Sequence, residues 1–344
     1  MKPKSLYPVL LLIVFTLLLA SCTASPENIT PTDETISSSA TLPPSQDSTA
    51  TKPPEPTAQP TPTATPEPIT CTIAFESNRD GNWDIFLMNP DGSNPINLTN
   101  DPANDFQPAI TADGKRIAFI SNRENDKCSG ESLYVFDSDG SDLRQLTDCN
   151  WPMFPEWSEN GEWIAYSAGG DIFIVMPDGS KEPINLTNSP EEEFSPVISP
   201  DNQKIAYLSG GSNNWNVYIM NFDGSNKTQL TSDGGEIGID WSVDGRIFVG
   251  AWNRGDEGCC NFVMNPDGSE IQFAGGKGEM QKYFPFWTLD GDQVECVSLN
   301  LDDSNEEIYL LGENFPDFFF NLTNHPAEDR NPSWPANCGP LNTN

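Results

Sequence analysis

An apolar strand pattern recurs along the chain from position 70 onward. The motif Ile-Ala-aromatic begins at Ile73, Ile117, Ile164 and Ile205, and weaker copies begin at Ile247 and Val294. The spacings between these first residues are 44, 47, 41, 42 and 47. A period in the forties with several short strands in each copy is typical of β-propeller blades.

Each copy continues with a second strand and a tight turn. Asp84–Met88 is such a strand, and the turn Asn89–Ser93 follows it. Proline fixes φ at the first turn position and glycine takes the left-handed one, so Asn-Pro-Asp-Gly-Ser predicts a hairpin turn. A calcium loop is the less favoured interpretation, because the acids lack the alternation of an EF-hand.

A third strand ends in a Leu-Thr pair, as at Leu98-Thr99, and a fourth carries Pro-x-Trp, as in Pro155–Gly161. These residues resemble the TolB-type propeller repeat (PD40), a relative of the WD repeat. The resemblance covers residues 70 to 338 and implies an all-β fold, a six-bladed β-propeller with four-stranded antiparallel blades. Blade five departs from the pattern at Phe273-Ala274, and blade six departs from it at Glu313–Phe315.

The phase of the repeat predicts how the ring closes. The first copy lacks the inner Pro-x-Trp strand, while nothing follows the last copy of that strand, Pro332–Trp334. We therefore expect the C-terminal strand to complete the N-terminal blade, which removes exposed sheet edges. The propeller is predicted over residues 69–339, with a tail at 340–344.

The N-terminus predicts export and a lipid anchor. Lys2 and Lys4 precede the apolar stretch Val9–Leu19, which is short for a membrane span. The following Leu19–Cys22 resembles the lipobox of bacterial lipoproteins. This implies a signal peptide at 1–21 and a lipidated Cys22 that holds the protein, outside the cytoplasm, on the cell membrane or outer membrane. An uncleaved anchor or an ordinary signal is the alternative.

Residues 22–68 are rich in Thr, Pro and Ser. Such a composition cannot form a core, and repeated proline favours extended polyproline II. We expect a disordered, semi-rigid stalk between the lipid and the propeller.

Further cysteines follow Cys22 in the chain, and their positions in the repeat predict how some of them pair. Cys71 and Cys338 flank the place where the ring is covalently open, so we expect them to form a disulfide, which an oxidising exterior permits. Two free thiols are the alternative. Cys128 and Cys149 fall in two loops on the same face of blade two and are expected to pair. The pairing of three further cysteines is left open: Cys259, Cys260 and Cys296.

The net charge of the chain restricts the kinds of molecule that it can bind. Seventeen Lys and Arg stand against 51 Asp and Glu, a formal net charge of −34. Such a surface repels nucleic acid and attracts cations and basic partners. We therefore expect an extracytoplasmic protein or peptide partner, basic in character, no nucleic acid, and a monomer held to the membrane through its lipid.

Four carboxylates occupy equivalent places in the repeat, three residues before the inner-strand proline position: Asp105, Glu193, Glu236 and Asp329. Because the blades are related by rotation, these residues are expected to form a ring at the channel mouth. Such a ring would suit a cation or a basic peptide. The alternative is a solvated loop on an acidic protein. No cofactor is predicted, and calcium at this mouth has no support in the sequence.

Catalysis is not predicted. The one histidine, His325, lies in a loop, and neither a Gly-x-Ser-x-Gly elbow nor a zinc-ligand spacing occurs. The TolB-type resemblance implies a propeller that docks other envelope components, although the family's N-terminal α/β domain is replaced here by the stalk. The alternatives are a carbohydrate-binding or polysaccharide-processing surface propeller, and the orphan propeller of a peptidase system.

Overall fold

The computed structural model describes residues 71–123, 130–211, 214–252, 259–273, 286–287, 293–298, 305–312 and 319–335. They belong to one compact unit, Thr65–Asn344. The predicted signal peptide, the lipidation site and the stalk fall outside the described residues, and so do Cys128 and Cys338. Within the described ranges, no helix is long and apolar enough to cross a membrane.

The strands form six antiparallel four-stranded sheets, each of them one blade. Blade one consists of β1 (Ile73–Ser77), β2 (Asp84–Met88), β3 (Ile96–Asn97) and the C-terminal β24 (Asp329–Ser333). Blade two consists of β4 (Asp105–Ile110), β5 (Arg116–Ser121), β6 (Ser132–Asp137) and β7 (Arg144–Gln145). Blade three consists of β8 (Met153–Trp157), β9 (Ile164–Ala168), β10 (Asp171–Val175) and β11 (Ile184–Asn185).

The second half repeats this arrangement. Blade four consists of β12 (Glu192–Ile198), β13 (Lys204–Gly211), β14 (Asn214–Asn221) and β15 (Thr228–Gln229). Blade five consists of β16 (Glu236–Trp241), β17 (Ile247–Trp252), β18 (Cys259–Met264) and β19 (Gln272–Phe273). Blade six consists of β20 (Phe286–Trp287), β21 (Gln293–Ser298), β22 (Glu307–Gly312) and β23 (Phe319–Asn321). The predicted all-β propeller with four-stranded antiparallel blades is confirmed.

The middle strands of each blade form the core. Every residue of β1 and β2 is buried, whereas the outer β3 is largely exposed. Hydrophobic clusters join neighbouring blades, and one of them packs Ile73 and Phe75 of blade one against Ile308 and Leu322 of blade six. Since a middle strand is covered on both faces, its sequence is apolar without a strict two-residue alternation.

The C-terminal strand closes the ring, as predicted. β24 pairs antiparallel with β1, and Ala74 lies opposite Ser333 while Ser77 lies opposite Asp329. The Ser333 hydroxyl also accepts the backbone N–H of Ile110 in blade two, at 3.0 Å. The last strand of the chain therefore holds blade one together and contacts its neighbour.

The Asp-Gly segments are hairpin turns, also as predicted. In the first, the Gly92 N–H donates to the Asn89 carbonyl at 2.9 Å, and the Asp91 carboxylate accepts the N–H and hydroxyl of Ser93. These hydrogen bonds hold the pKa of Asp91 below its usual value. The same arrangement lowers the pKa of the equivalent aspartates: Asp139, Asp178, Asp223 and Asp267.

The Leu-Thr pair has two separate tasks. The threonine hydroxyl accepts the N–H of a residue in the neighbouring strand, as Thr147 does from Leu133 at 3.0 Å. The leucine backbone lies against the turn glycine of the next blade, so that a Cβ on Gly224 would stand 2.9 Å from the Leu186 carbonyl oxygen. Gly224 has φ +82, so glycine is required there both by conformation and by close approach.

Two glycines allow the effect of the left-handed conformation to be measured apart from the effect of the close approach between blades. Gly224 and Gly245 share φ +82, but nothing lies within 4 Å of a Cβ placed on Gly245. Gly245→Ala should lose about 1–2 kcal/mol of unfolding free energy, the cost of a left-handed non-glycine residue. Gly224→Ala should lose about 1–3 kcal/mol more, because its Cβ meets the backbone of Leu186. Urea unfolding of the purified protein measures both, and equal losses would contradict the interblade contact.

Candidate functional site

The four predicted carboxylates do lie at equivalent places on one face of the propeller. Asp105, Glu236 and Asp329 each begin an inner strand, and Glu193 is the second residue of β12. We call this side, which carries the starts of the inner strands, the upper face. All four side chains are buried, and Asp105, Glu236 and Asp329 are fully enclosed.

Asp105 is bound by an arginine of its own blade. Arg123 Nη2 donates to both carboxylate oxygens of Asp105, at 3.0 Å each, and Arg123 Nε donates to Ser121 Oγ at 2.8 Å. The guanidinium lies over the rings of Phe119 and Tyr134, 5.2 and 5.0 Å from their centroids. Burial raises the pKa of Asp105, and the charge of Arg123 acts against this rise.

Asp329 has the same environment in blade one. Arg79 Nη2 donates to its two oxygens at 2.9 and 3.0 Å, and Arg79 Nε donates to Ser77 Oγ at 2.9 Å. The guanidinium lies over Phe75 and Phe86, 5.3 and 4.9 Å from the ring centroids. We call this unit of carboxylate, arginine, serine and two aromatic rings the arginine clamp.

Two members of the predicted acidic ring have an arginine partner. Asp105 and Asp329 are neutralised by guanidinium groups and enclosed, so they do not present free anions at the channel mouth. A buried carboxylate is tolerated when it is paired and hydrogen-bonded, and removing one partner of such a pair costs about 3–5 kcal/mol. These two residues therefore stabilise their blades, and their predicted role in binding stays a prediction.

Glu193 differs from these two residues. Its Oε1 accepts the hydroxyl of Ser189, whereas its buried Oε2 accepts no hydrogen bond from the described residues. Burial raises the pKa of Glu193, the hydroxyl groups of Ser189 and Thr187 act against this rise, and the charges of Asp171 and Glu191 add to it. The binding role predicted for Glu193 and Glu236 stays a prediction.

The inner strands of four blades contain an unusual backbone bulge next to their proline. The residue before the inner-strand proline has a left-handed φ in four blades, at Gln107, Phe154, Ser195 and Asn331. The N–H of Gln107 donates to Glu76 Oε2 at 2.6 Å, and the N–H of Phe154 donates to Gln107 Oε1 at 2.7 Å. This chain of hydrogen bonds passes from blade one through blade two to blade three and satisfies backbone groups that the bulge exposes.

An acidic pair lies on two inner strands. Desolvation raises the pKa of Glu156 well above its usual range, and the neighbouring charges of Asp240 and Glu159 add to the rise. Glu156 belongs to the inner strand of blade three and Asp240 to that of blade five. Like charges brought together favour the protonated form of one carboxyl group. Sequence analysis did not single out this pair.

His325 has a structural task in its loop. Its Nδ1 accepts the N–H of Ala327 at 3.1 Å, and its own backbone N–H donates to Glu307. Its carbonyl oxygen accepts Asn305 Nδ2 at 2.6 Å. Within the part of the chain that the structure describes, no group of three or more His, Cys, Asp or Glu side chains could hold a metal ion.

Aromatic side chains surround the upper face. Trp83 and Trp215 are half-buried, and they pack on Phe106 and Phe194 with ring centroids 6.5 and 4.3 Å apart. They therefore contribute to packing. Trp151 differs from them, because 53% of it is exposed in the loop that leads into β8.

Met153, the first residue of β8, is 43% exposed beside Trp151. The other large exposed hydrophobic side chains of the described residues lie on the outer strands and connecting turns, away from the upper face: Ile96, Leu143, Ile184, Val243, Ile271 and Phe320. We call Trp151 and Met153 the apolar patch. Sequence reasoning passed over it because the repeat does not predict which loop residues stay exposed.

Cys71 and Cys149 are both disulfide-bonded. The two residues predicted as their partners, Cys338 and Cys128, are outside the described ranges. The pairings Cys71–Cys338 and Cys128–Cys149 therefore stay predictions, and so does the pairing of Cys259, Cys260 and Cys296.

Sequence reasoning also missed the arginines of the clamp, although the signal was present. The strand Ile73–Ser77 is followed by Asn78 and Arg79, and the strand that ends at Ser121 is followed by the same two residue types. The recurrence of Ser-Asn-Arg one strand away from a recurring acid could have indicated a repeated ion pair.

Comparison with known proteins agrees with this architecture. The family model of the TolB beta propeller domain (PD40) matches residues 116–338. TolB from Acinetobacter baumannii superposes with a TM-score of 0.62 at 16% identity, over 77% of this chain and 67% of that chain. At that identity the superposition shows the shared fold alone.

Curated relatives match part of the propeller. The Protein TolB homolog of Chlorobium luteolum is 32% identical over 152 residues, 43% of this chain and 34% of that protein. Dipeptidyl-peptidase 5 of Porphyromonas gingivalis is 28% identical over 228 residues, 49% of this chain and 32% of that protein. The chain thus spans about a third of the length of these relatives. Because the family model matches more than half of the sequence, the chain belongs to the TolB beta propeller domain family.

Proposed function

We propose that this protein is a non-enzymatic binding module of the cell envelope, whose propeller docks an extracytoplasmic protein through its upper face. The observation that carries the proposal is the apolar patch. Trp151 and Met153 expose 53% and 43% of their surface on the face where the inner strands begin. Tryptophan is enriched among the residues that dominate protein–protein binding energy, and methionine adapts to varied partners.

The energy available at this patch is appreciable. A tryptophan buries about 150–250 Å² when it is fully enclosed, and apolar surface contributes about 25 cal/mol per Å². Covering the exposed half of Trp151 would therefore contribute on the order of 2–3 kcal/mol. The acidic surface around it, with a net charge of −34 over the chain, favours a partner that carries basic residues.

A lipid anchor at Cys22 would place the propeller beside envelope partners. The lipobox-like Leu19–Cys22 and the Pro-rich stalk support such an arrangement. The TolB-type family supports it as well, since the resemblance implies a propeller outside the cytoplasm. We propose that the stalk separates the binding face from the membrane, because a Pro-rich segment spans about 3.1 Å per residue.

Lipidation is tested by Cys22→Ser, which removes the thiol that would carry the diacylglycerol. The wild-type chain, expressed in its native host, should sediment with the membrane fraction, and Cys22→Ser should move to the soluble envelope fraction or accumulate unprocessed. Immunoblotting of the fractions and mass spectrometry of the N-terminal peptide measure this. Equal membrane retention of both proteins, with no lipid mass on the wild-type peptide, would contradict the anchor.

Docking is tested by capture from an envelope extract with the purified protein as bait. Trp151→Ala and Met153→Ala should each weaken capture of the same protein about 10-fold or more, as expected for a residue worth over 1 kcal/mol. Ile184→Ala is the matched control, because Ile184 is 44% exposed on the outer strand of the same blade. Retention of polysaccharide without any protein, or equal capture by all variants, would rule out protein docking at this patch.

A further inference from the structure

Blade four contains an arginine clamp from which the arginine alone is missing. Glu193 stands at the position of Asp105 and pairs with Ser209 across the sheet, as Asp105 pairs with Ser121. The carboxylate and the serine of the clamp are therefore both retained. The residue two positions after the serine is Arg79 in blade one, Arg123 in blade two and Gly211 in blade four.

The aromatic part of the clamp is also retained in blade four. Tyr207 and Tyr218 have ring centroids 5.8 Å apart and an interplanar angle of 33°. The corresponding pair in blade one, Phe75 and Phe86, has 5.6 Å and 32°, and the pair in blade two has 5.7 Å and 31°. The surface that carries a guanidinium in two blades therefore has the same geometry in the third.

Space is available where the arginine would begin. Tyr207, Ser209 and Gly211 are alternate residues of β13 and share one face of the sheet, and Glu193 lies opposite Ser209 on that face. Nothing lies within 4 Å of a Cβ placed on Gly211. Gly211 is itself half-buried at the upper end of the blade, whereas Tyr207, Ser209 and Glu193 are 2, 5 and 4% exposed, so an arginine that enters past Gly211 must displace the side chains that cover them.

The carboxylate of Glu193 lacks the neutralising partner that its counterparts have. Only 4% of Glu193 is exposed, its Oε1 accepts the hydroxyl of Ser189, its Oε2 accepts no hydrogen bond from the described residues, and no ion pair among those residues includes it. A buried carboxylate without a counter-charge is unfavourable. Blade three avoids an unpaired buried carboxylate by lacking all three polar members of the clamp. Pro152 stands in place of the acid, Ala168 in place of the serine and Gly170 in place of the arginine.

We propose that the clamp of blade four binds the guanidinium group of an arginine side chain that a protein partner inserts from the upper face. The bound guanidinium would donate to both oxygens of Glu193 and to Ser209 Oγ, and would lie over Tyr207 and Tyr218, as Arg123 does in blade two. This inference rests on the proposed docking function and names the chemical group that the upper face recognises.

The composition of the site selects arginine among cations. The planar guanidinium offers several donors in one plane and stacks on aromatic rings, which is the pattern that Arg79 and Arg123 display. Lysine would present a single ammonium group that cannot donate to both carboxylate oxygens and the serine in one plane. A divalent cation would need several further oxygen ligands, whereas two aromatic rings cover one side of this site.

The probe is the peptide acetyl-Gly-Arg-Gly-amide, titrated by calorimetry into the full chain in detergent. Versions with lysine and with citrulline, which is uncharged and nearly isosteric with arginine, are titrated in parallel. The arginine peptide should bind with a dissociation constant on the order of 1 mM, as expected for one anchoring side chain. The lysine peptide should bind about 10-fold more weakly, and the citrulline peptide should not bind measurably.

Variants locate the binding. Glu193→Gln removes the charge, and Gly211→Arg supplies an arginine from within the blade. Each should weaken binding of the arginine peptide about 10-fold or more. Glu192→Gln is the matched control, because this neighbouring acid is exposed on the same strand, and it should bind as the wild type does. Thermal unfolding of each variant verifies the fold, and Gly211→Arg remains decisive if Glu193→Gln does not fold.

Several outcomes would overturn the inference. They are equal binding of the arginine and citrulline peptides, unchanged binding in Gly211→Arg, and no binding of the arginine peptide to the wild type. The docking proposal fails separately: partner capture that depends on Trp151 but not on Glu193 keeps docking and rejects the clamp. Arginine-peptide binding that depends on Glu193, with no protein captured from the envelope, keeps the clamp and rejects docking.

Discussion

A carboxylate buried at the head of an inner strand is the constraint on which the upper face depends. Such a group is stabilised when a counter-charge and hydrogen bonds replace the water it has lost. Blades one and two supply Arg79 and Arg123 for this purpose, and each arginine is itself held by a serine and by two aromatic rings. Acid, arginine, serine and aromatic pair thus form one unit, and altering one member changes what the others can do.

The residues that carry the buried carboxylates also join neighbouring blades through their backbone. The backbone N–H of Asp105 donates to the Trp83 carbonyl of the preceding blade, and that of Glu193 donates to the Gly170 carbonyl, both at 2.8 Å. Tryptophans of the inner strands add to this, since Trp157 Nε1 donates to the carbonyl of Ala109 in blade two at 2.9 Å. Blades one, two and three each thereby contribute polar contacts to the next blade, in addition to the hydrophobic clusters between blades. A substitution at one inner strand is expected to affect two blades.

Much of the fold could be predicted from the sequence, because its determinants are local and repeated. The Ile-Ala-aromatic strands, the Asp-Gly turns and the closing strand at Pro332–Trp334 all follow from recurring residues and the phase of the repeat. The bulge before the inner-strand proline could not be predicted, because the residue before a proline normally adopts an extended conformation. Gln107 and Phe154 depart from this preference, and their N–H groups are satisfied by side chains of the preceding blade.

The candidate site was predicted in position but not in environment. The sequence indicates that Asp105, Glu193, Glu236 and Asp329 are equivalent, but not that they are buried. The partner of Asp329 is Arg79, 250 positions away in the chain, and this contact exists only once the ring has closed. The exposure of Trp151 likewise depends on the shape of one loop. Rotational equivalence therefore predicted which residues occupy equivalent places, and tertiary contacts determine the environment of each of them.

The structure assigns one clamp geometry to three blades and a missing arginine to one of them. A crystal structure of the Gly211→Arg variant tests this assignment most directly. We expect the introduced guanidinium to donate to both oxygens of Glu193 and to lie over Tyr207 and Tyr218, as Arg123 lies over Phe119 and Tyr134. An introduced side chain that extends into solvent, with Glu193 unchanged, would contradict it.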